Sequence, residues 1–211
     1  MLDKKIVREF IAELGSNSPA PGGGSVAALC ASLGSALTSM VCNLTVGKKA
    51  YEALSQEEKT LIDECLIKSG SEKDVFLDLM NEDTEAFNEL MASFKMPKGT
   101  DEEKALRSSK IQLGYKAATE VPLKVARRSY EIYEGILICV KYGNKSAISD
   151  GGVAALLTQS AIEGAILNVK INLSSIKDEA YVEGIKSELR TLSQDGNKKQ
   201  QEILAIVNEN L

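Results

Sequence analysis

The chain has 211 residues, 25 lysines and arginines against 30 aspartates and glutamates, and no histidine. That length suits one domain, residues 1–211, with a sizeable core, and a net charge of −5 without a basic cluster argues against a nucleic-acid partner. Without histidine a Ser-His-Asp triad, a Cys-His pair and a His-ligated zinc are excluded within one chain, so acid–base chemistry falls to carboxylates, lysines, tyrosines or cysteines.

Leu2, Ile6, Phe10 and Leu14 recur every four residues beside Val7 and Ile11, which predicts a short amphipathic helix ended by Gly15. Met1-Leu-Asp-Lys-Lys5 leads into that helix rather than into a signal peptide. From Leu14 to Gly47 there is no charged residue. Within this stretch Pro19, Pro21, Gly22, Gly23 and Gly24 form a loop that is stiff and then permissive, and Ser25 is placed to cap the following helix. The free N–H groups of such a helix start attract anions; the alternative is a helix start with no ligand.

The run behind it, Val26 to Leu44, is built of small residues and is about 30 Å long at 1.5 Å per residue, enough to span a membrane. Ser32, Ser35, Thr38, Ser39 and Asn43, and the lack of an aromatic belt, favour instead a buried central helix of a bundle. Lys48 and Lys49 follow Gly47 where the helix dipole favours cations.

Ser55-Gln-Glu-Glu58 and Thr100-Asp-Glu-Glu103 are capping boxes, each opening a long helical pattern, the first with a bend expected near Gly70-Ser71. Phe76, Met80, Asp83, Phe87, Leu90 and Phe94 step by four and three, so Asp83 sits in an otherwise large and apolar seam, while Glu82, Glu85 and Glu89 fall on other faces. A carboxyl there is either a functional group with a raised pKa or a structural one, at a solvated edge of the seam or hydrogen-bonded to a neighbouring helix. Pro122 predicts a kink or a split near Glu120-Val121, and Arg127 and Arg128 meet either an anionic ligand or the surplus acids.

Asp150-Gly-Gly-Val-Ala-Ala-Leu156 echoes Gly23-Gly-Ser-Val-Ala-Ala-Leu29 and opens a second small-residue helix, with Asp150 readable as a simple cap. Ser160, Gly164, Asn168 and Asn172 share a face of it, and the two asparagines need partners. Asp178 starts a last, exposed helix. Cys30, Cys42, Cys65 and Cys139 lie in apolar helical patterns, match no metal framework by spacing and read as reduced core thiols of a cytoplasmic protein. No segment alternates at period two, so the fold class is all-α: long antiparallel helices bundled around the small-residue one.

Several stretches together resemble the cyclodeaminase/cyclohydrolase family of one-carbon folate metabolism. They are Ser18-Pro-Ala-Pro-Gly-Gly-Gly-Ser25, Asn43-Leu-Thr-Val-Gly-Lys-Lys49, Asp83-Thr-Glu-Ala-Phe87, Gly143-Asn-Lys-Ser-Ala-Ile-Ser-Asp150 and Gly164 to Asp178, in order over almost the whole chain. The resemblance implies a cytoplasmic homodimer, not a membrane protein, that holds a reduced folate, with or without a polyglutamate tail, and uses no metal or other cofactor. It implies Asp83 and Asp150 as catalytic groups, and Pro21, Gly22, Gly23, Gly24, Ser25, Lys48, Lys49, Asn144 and Asn168 as substrate-binding ones. Formiminotetrahydrofolate cyclodeaminase is the favoured activity, methenyltetrahydrofolate cyclohydrolase the alternative, and a non-catalytic folate-binding dimer the third reading.

Overall fold

The structure, a computed structural model, describes residues 1–211 and is helical throughout. Seven α-helices follow a 3-10 turn at Leu2–Lys4: α1 Val7–Leu14, α2 Gly23–Asn43, α3 Lys49–Glu52, α4 Gln56–Phe94, α5 Asp101–Tyr142, α6 Ile148–Leu173 and α7 Glu179–Glu209. α2, α4, α5 and α6 form an antiparallel four-helix core in which α2 and α5 are each flanked by α4 and α6. α7 packs along α5 and α6. The N-terminal turn docks on α4, where Asn81 accepts a hydrogen bond from the backbone amide of Leu2 at 2.7 Å.

Local signals set most boundaries. Both capping boxes form, Ser55 with Glu58 and Thr100 with Glu103, and Asp178 caps α7 by accepting from the amide of Tyr181. α4 continues unbroken past Gly70-Ser71, and α5 past Pro122. Proline leaves the carbonyl four residues earlier, that of Ala118, without its helical donor. The side-chain amide of Asn172 donates to this carbonyl at 2.9 Å, so α6 supplies what α5 lacks.

Three expectations fail for identifiable reasons. The N-terminal helix breaks at Lys5–Ile6, and Ile6, Val7 and Ile11 are exposed, because Leu2 and Phe10 are buried in the core and Leu14 packs against it while the other apolar side chains face away. α2 ends at Asn43, and Gly47 turns the chain at φ 69°, so Lys48 and Lys49 stand exposed on a separate short helix rather than in the last turn of α2. α2 is also not buried all round. Cys30, Leu33, Leu37, Met40 and Leu44, spaced three and four apart, form an outward stripe of exposed or half-buried side chains. On α6, Val153, Leu156, Leu167 and Ile171 do the same. α2 and the segment containing α6 are the two stretches long and apolar enough to cross a membrane, and just over half of each, 56%, is buried in the bundle.

Candidate active site

At the start of α2 the helix begins one residue after Gly22, so Gly23, Gly24 and Ser25 lie in its first turn and Ser25 is not the cap. The hydroxyl of Ser25 points across to α4 and donates to Asp83 Oδ2 at 2.9 Å. Gly24 lies directly beneath the same carboxyl, and a Cβ there would overlap it. Asp83 therefore occupies the anion-attracting start of α2, capping it from a neighbouring helix. Two opposing influences act on the carboxyl. Burial pushes its pKa above the usual carboxylate range, and the hydroxyl and backbone amide of Ser25 pull it back; burial wins.

Asp83 opens into a cleft of about 470 Å³, within the range of small-molecule sites. Its walls come from the Pro19–Gly24 loop, from Thr84, Phe87, Leu90 and Met91 on α4, from Tyr115 and Ala118 on α5, and from Asn168, Ile171 and Asn172 on α6. Tyr115 is held edge-on against Phe94, with ring centroids 6.1 Å apart. Gly114 lets α5 approach Leu90 closely. Asn168 lies against Gly23 while its amide donates to the carbonyl of Gly164 at 2.8 Å, which leaves its side-chain oxygen for a ligand. The cleft thus combines one desolvated carboxyl, asparagine amides, backbone N–H groups and aromatic faces.

The expected site residues divide into two groups. Gly22, Gly23, Gly24, Ser25, Asp83 and Asn168 converge on the cleft, with Pro21 buried beneath the loop rather than lining it. Lys48, Lys49, Asn144 and Asp150 lie at the opposite end of the α2–α6 pair, because the two helices run antiparallel and Asp150 precedes Asn168 by about 27 Å of helix. Asn144 is engaged locally: its amide donates to the carbonyl of Leu44 at 3.1 Å and its oxygen accepts from the amide of Ser146 at 3.0 Å. Asp150 lies half-buried in the first turn of α6 and does not cap it. Within one chain neither Asp150 nor Asn144 reaches Asp83. Arg127 and Arg128 are both taken by acids, Glu188 and Glu72, rather than by a ligand site. Thr84 and Tyr115 were not foreseen as cleft residues, since no local pattern separates them from other helix-surface side chains.

The formiminotransferase-cyclodeaminase family model matches residues 6–191. A methenyltetrahydrofolate cyclohydrolase of Methylorubrum extorquens is 38% identical over 91% of this chain and 90% of its own length. The formimidoyltransferase-cyclodeaminase of Rattus norvegicus is 35% identical over 92% of this chain, but the chain spans only 35% of that longer protein. The crystal structure of formiminotetrahydrofolate cyclodeaminase from Thermotoga maritima superposes with a TM-score of 0.80, covering all of this chain and 98% of that one at 24% identity, which shows the shared fold. Ordered motifs, a helical bundle and a glycine-lined carboxyl cleft agree with these matches: the chain belongs to the cyclodeaminase/cyclohydrolase family and is an enzyme of that family.

Proposed function

We propose that this enzyme is a methenyltetrahydrofolate cyclohydrolase with Asp83 as its proton carrier. The observation that carries the chemistry is the Asp83 carboxyl, desolvated against Gly24 and open to the cleft. The preference for hydrolysis rests on the Methylorubrum relative, which matches over about nine-tenths of both chains and bears that name.

The methenyl carbon bridges N5 and N10 and carries positive charge. Its arrival beside Asp83 favours the ionised carboxylate, which then takes a proton from water as the oxygen adds to that carbon. The resulting tetrahedral carbinolamine loses its bond to N5, which receives the proton back from Asp83. The formyl C=O forms on N10 as the hydroxyl proton leaves to solvent. Phe87 and Tyr115 offer faces for the pterin, and Asn168 a hydrogen-bond acceptor.

The second reading, formiminotetrahydrofolate cyclodeaminase, is favoured by the name of the Thermotoga fold neighbour, which is also of this length. There N10 attacks the formimino carbon and Asp83 passes the N10 proton to departing ammonia. Assaying the pure protein with both substrates separates the two. Loss of the methenyl chromophore faster than its spontaneous hydrolysis supports the first; ammonia release from the formimino substrate with no such loss sinks it.

The homodimer is part of the same proposal. The apolar stripes of α2 and α6 lie on the bundle side that α7 does not cover, and Leu167 and Ile171 are 66% and 67% exposed. Ile171 also belongs to the cleft wall. A two-fold axis lying in that face and running across the helices sets the Asp83 end of each copy against the far end of the other. The partner then brings Asp150, Asn144, Lys48 and Lys49 to the cleft. Beside the cleft in the same chain, sharing Ser174 with it, lies a groove with Lys170, Lys186 and Arg190, which suits a glutamate tail.

A further inference from the structure

Three of the four cysteines, scattered at 42, 65 and 139, come together in a small apolar core at the end of the bundle away from Asp83. They arrive on three helices: Cys42 near the end of α2, Cys65 on α4 and Cys139 near the end of α5. Cys42 Sγ lies 3.2 Å from Cys139 Sγ, Cys65 Sγ lies 3.8 Å from Cys139 Sγ, and all three lie within 4.8 Å of one another. Zinc–sulfur bonds of about 2.3 Å in tetrahedral geometry require sulfurs about 3.8 Å apart, so the triangle needs shifts of only tenths of an ångström to an ångström.

A second feature adjoins it. A small pocket of about 30 Å³, partly open to solvent and with room for one or two waters, touches Cys65 and is lined also by Ser35, Thr38, Lys68 and Gly135. The Ser35 hydroxyl is fully buried and has no hydrogen-bond partner.

We propose that Cys42, Cys65 and Cys139 bind one zinc ion, with a water in the cavity as the fourth ligand and Ser35 bonded to that water. Charge selects a divalent ion. Binding releases the three thiol protons to solvent, and three thiolates with Zn²⁺ leave one negative charge where a monovalent ion would leave two; the pocket beside them carries Lys68 and Arg128 together with Glu72 and Glu131, so the smaller residual charge is the one this balanced surround accommodates. The Cys65 thiol donates to the carbonyl of Gly135 and the Cys139 thiol to that of Thr38. Both carbonyls sit inside helices and keep their ladder partners when the thiols ionise. The ion ties α2, α4 and α5 together about 27 Å of helix from Gly24, so its role is structural.

Titrate the full-length reduced, chelator-treated protein with Zn²⁺ against a chromophoric chelator, and separately with Co²⁺. Expected are one ion per chain, a thiolate-to-Co²⁺ charge-transfer intensity equal to three sulfurs, and a zinc-dependent rise in melting temperature. Cys42→Ser, Cys65→Ser and Cys139→Ser should each weaken binding at least tenfold, and Cys30→Ser should not. The wild-type Co²⁺ spectrum counts the sulfurs even where a variant fails to fold. No stoichiometric uptake, a spectrum without thiolate bands, or uptake that survives all three substitutions overturns the proposal. So does a protein whose only response to air is a Cys42–Cys139 disulfide.

Discussion

Asn172 on α6 donates its side-chain amide to the carbonyl of Ala118 on α5, the group that Pro122 strips of its helical donor. Both residues line the cleft, so the bond secures the α5–α6 corner of the site. Asn172→Ala should cost about 1–3 kcal/mol in chemical denaturation, the price of an unpaired, partly buried carbonyl. Pro122→Ala restores the backbone donor, so in the Pro122→Ala background the same substitution should cost clearly less. Equal costs in both backgrounds would deny the coupling.

Asp83→Asn should lower kcat by roughly a hundredfold or more while folate binding persists. Its effect on stability has the opposite sign. Burial raises the pKa of the folded carboxyl, so the stability it contributes is complete below the unfolded value of 3.8 and declines as pH rises through the raised folded value. Asp83→Asn should therefore be more stable than the parent at neutral pH, the gain shrinking as pH falls towards 3.8. Ser25→Ala removes a donor to the carboxylate, and its kcat/KM profile should show the acid limb moved to higher pH.

Gly24→Ala places a methyl group inside the Asp83 carboxyl. Gly24 needs no special backbone angle, since Gly47 is the one glycine at positive φ. The loss should thus be catalytic: kcat down by tenfold or more, as a displaced general base implies, with helical circular dichroism unchanged.

Changing Lys170, Lys186 and Arg190 together to glutamine should raise KM for a polyglutamylated substrate roughly tenfold, leaving kcat and the monoglutamate KM alone. A KM that moves equally for both substrates would place the tail elsewhere.

Leu33→Glu with Leu167→Glu should give monomers by ultracentrifugation and abolish turnover, although neither residue lines the cleft. Complementation is sharper. Mixed and reassembled, Asp83→Asn and Asp150→Asn chains should recover about a quarter of the parent rate, because half the dimers carry one intact composite site. No recovery would mean that Asp150 does not act across the interface.

What the sequence revealed follows the range of each interaction. Ser55, Thr100 and Asp178 announced their helices because a cap is satisfied within three residues. Asp83 was visible because a seam of period 3.5 makes one carboxyl among large apolar side chains conspicuous. Ser25 was misassigned as a cap because its partner lies 58 residues on, and the split offered beside a kink at Pro122 does not occur because the remedy for the lost hydrogen bond lies on another helix. The motifs holding Lys48, Asn144 and Asp150 stand in the right order, but order does not tell which end of an antiparallel pair a residue occupies. The three-thiol core escaped notice for the same reason: its members are remote in the chain and meet only through packing.

Because the Asp83 carboxyl already fills the start of α2, the enzyme carries a built-in counterion where many glycine loops hold an oxyanion. Phosphate and sulfate from ordinary buffers would meet a like charge there and should not inhibit. A one-carbon unit bearing a delocalised cation gains on entering, and an uncharged formyl product gains nothing by staying.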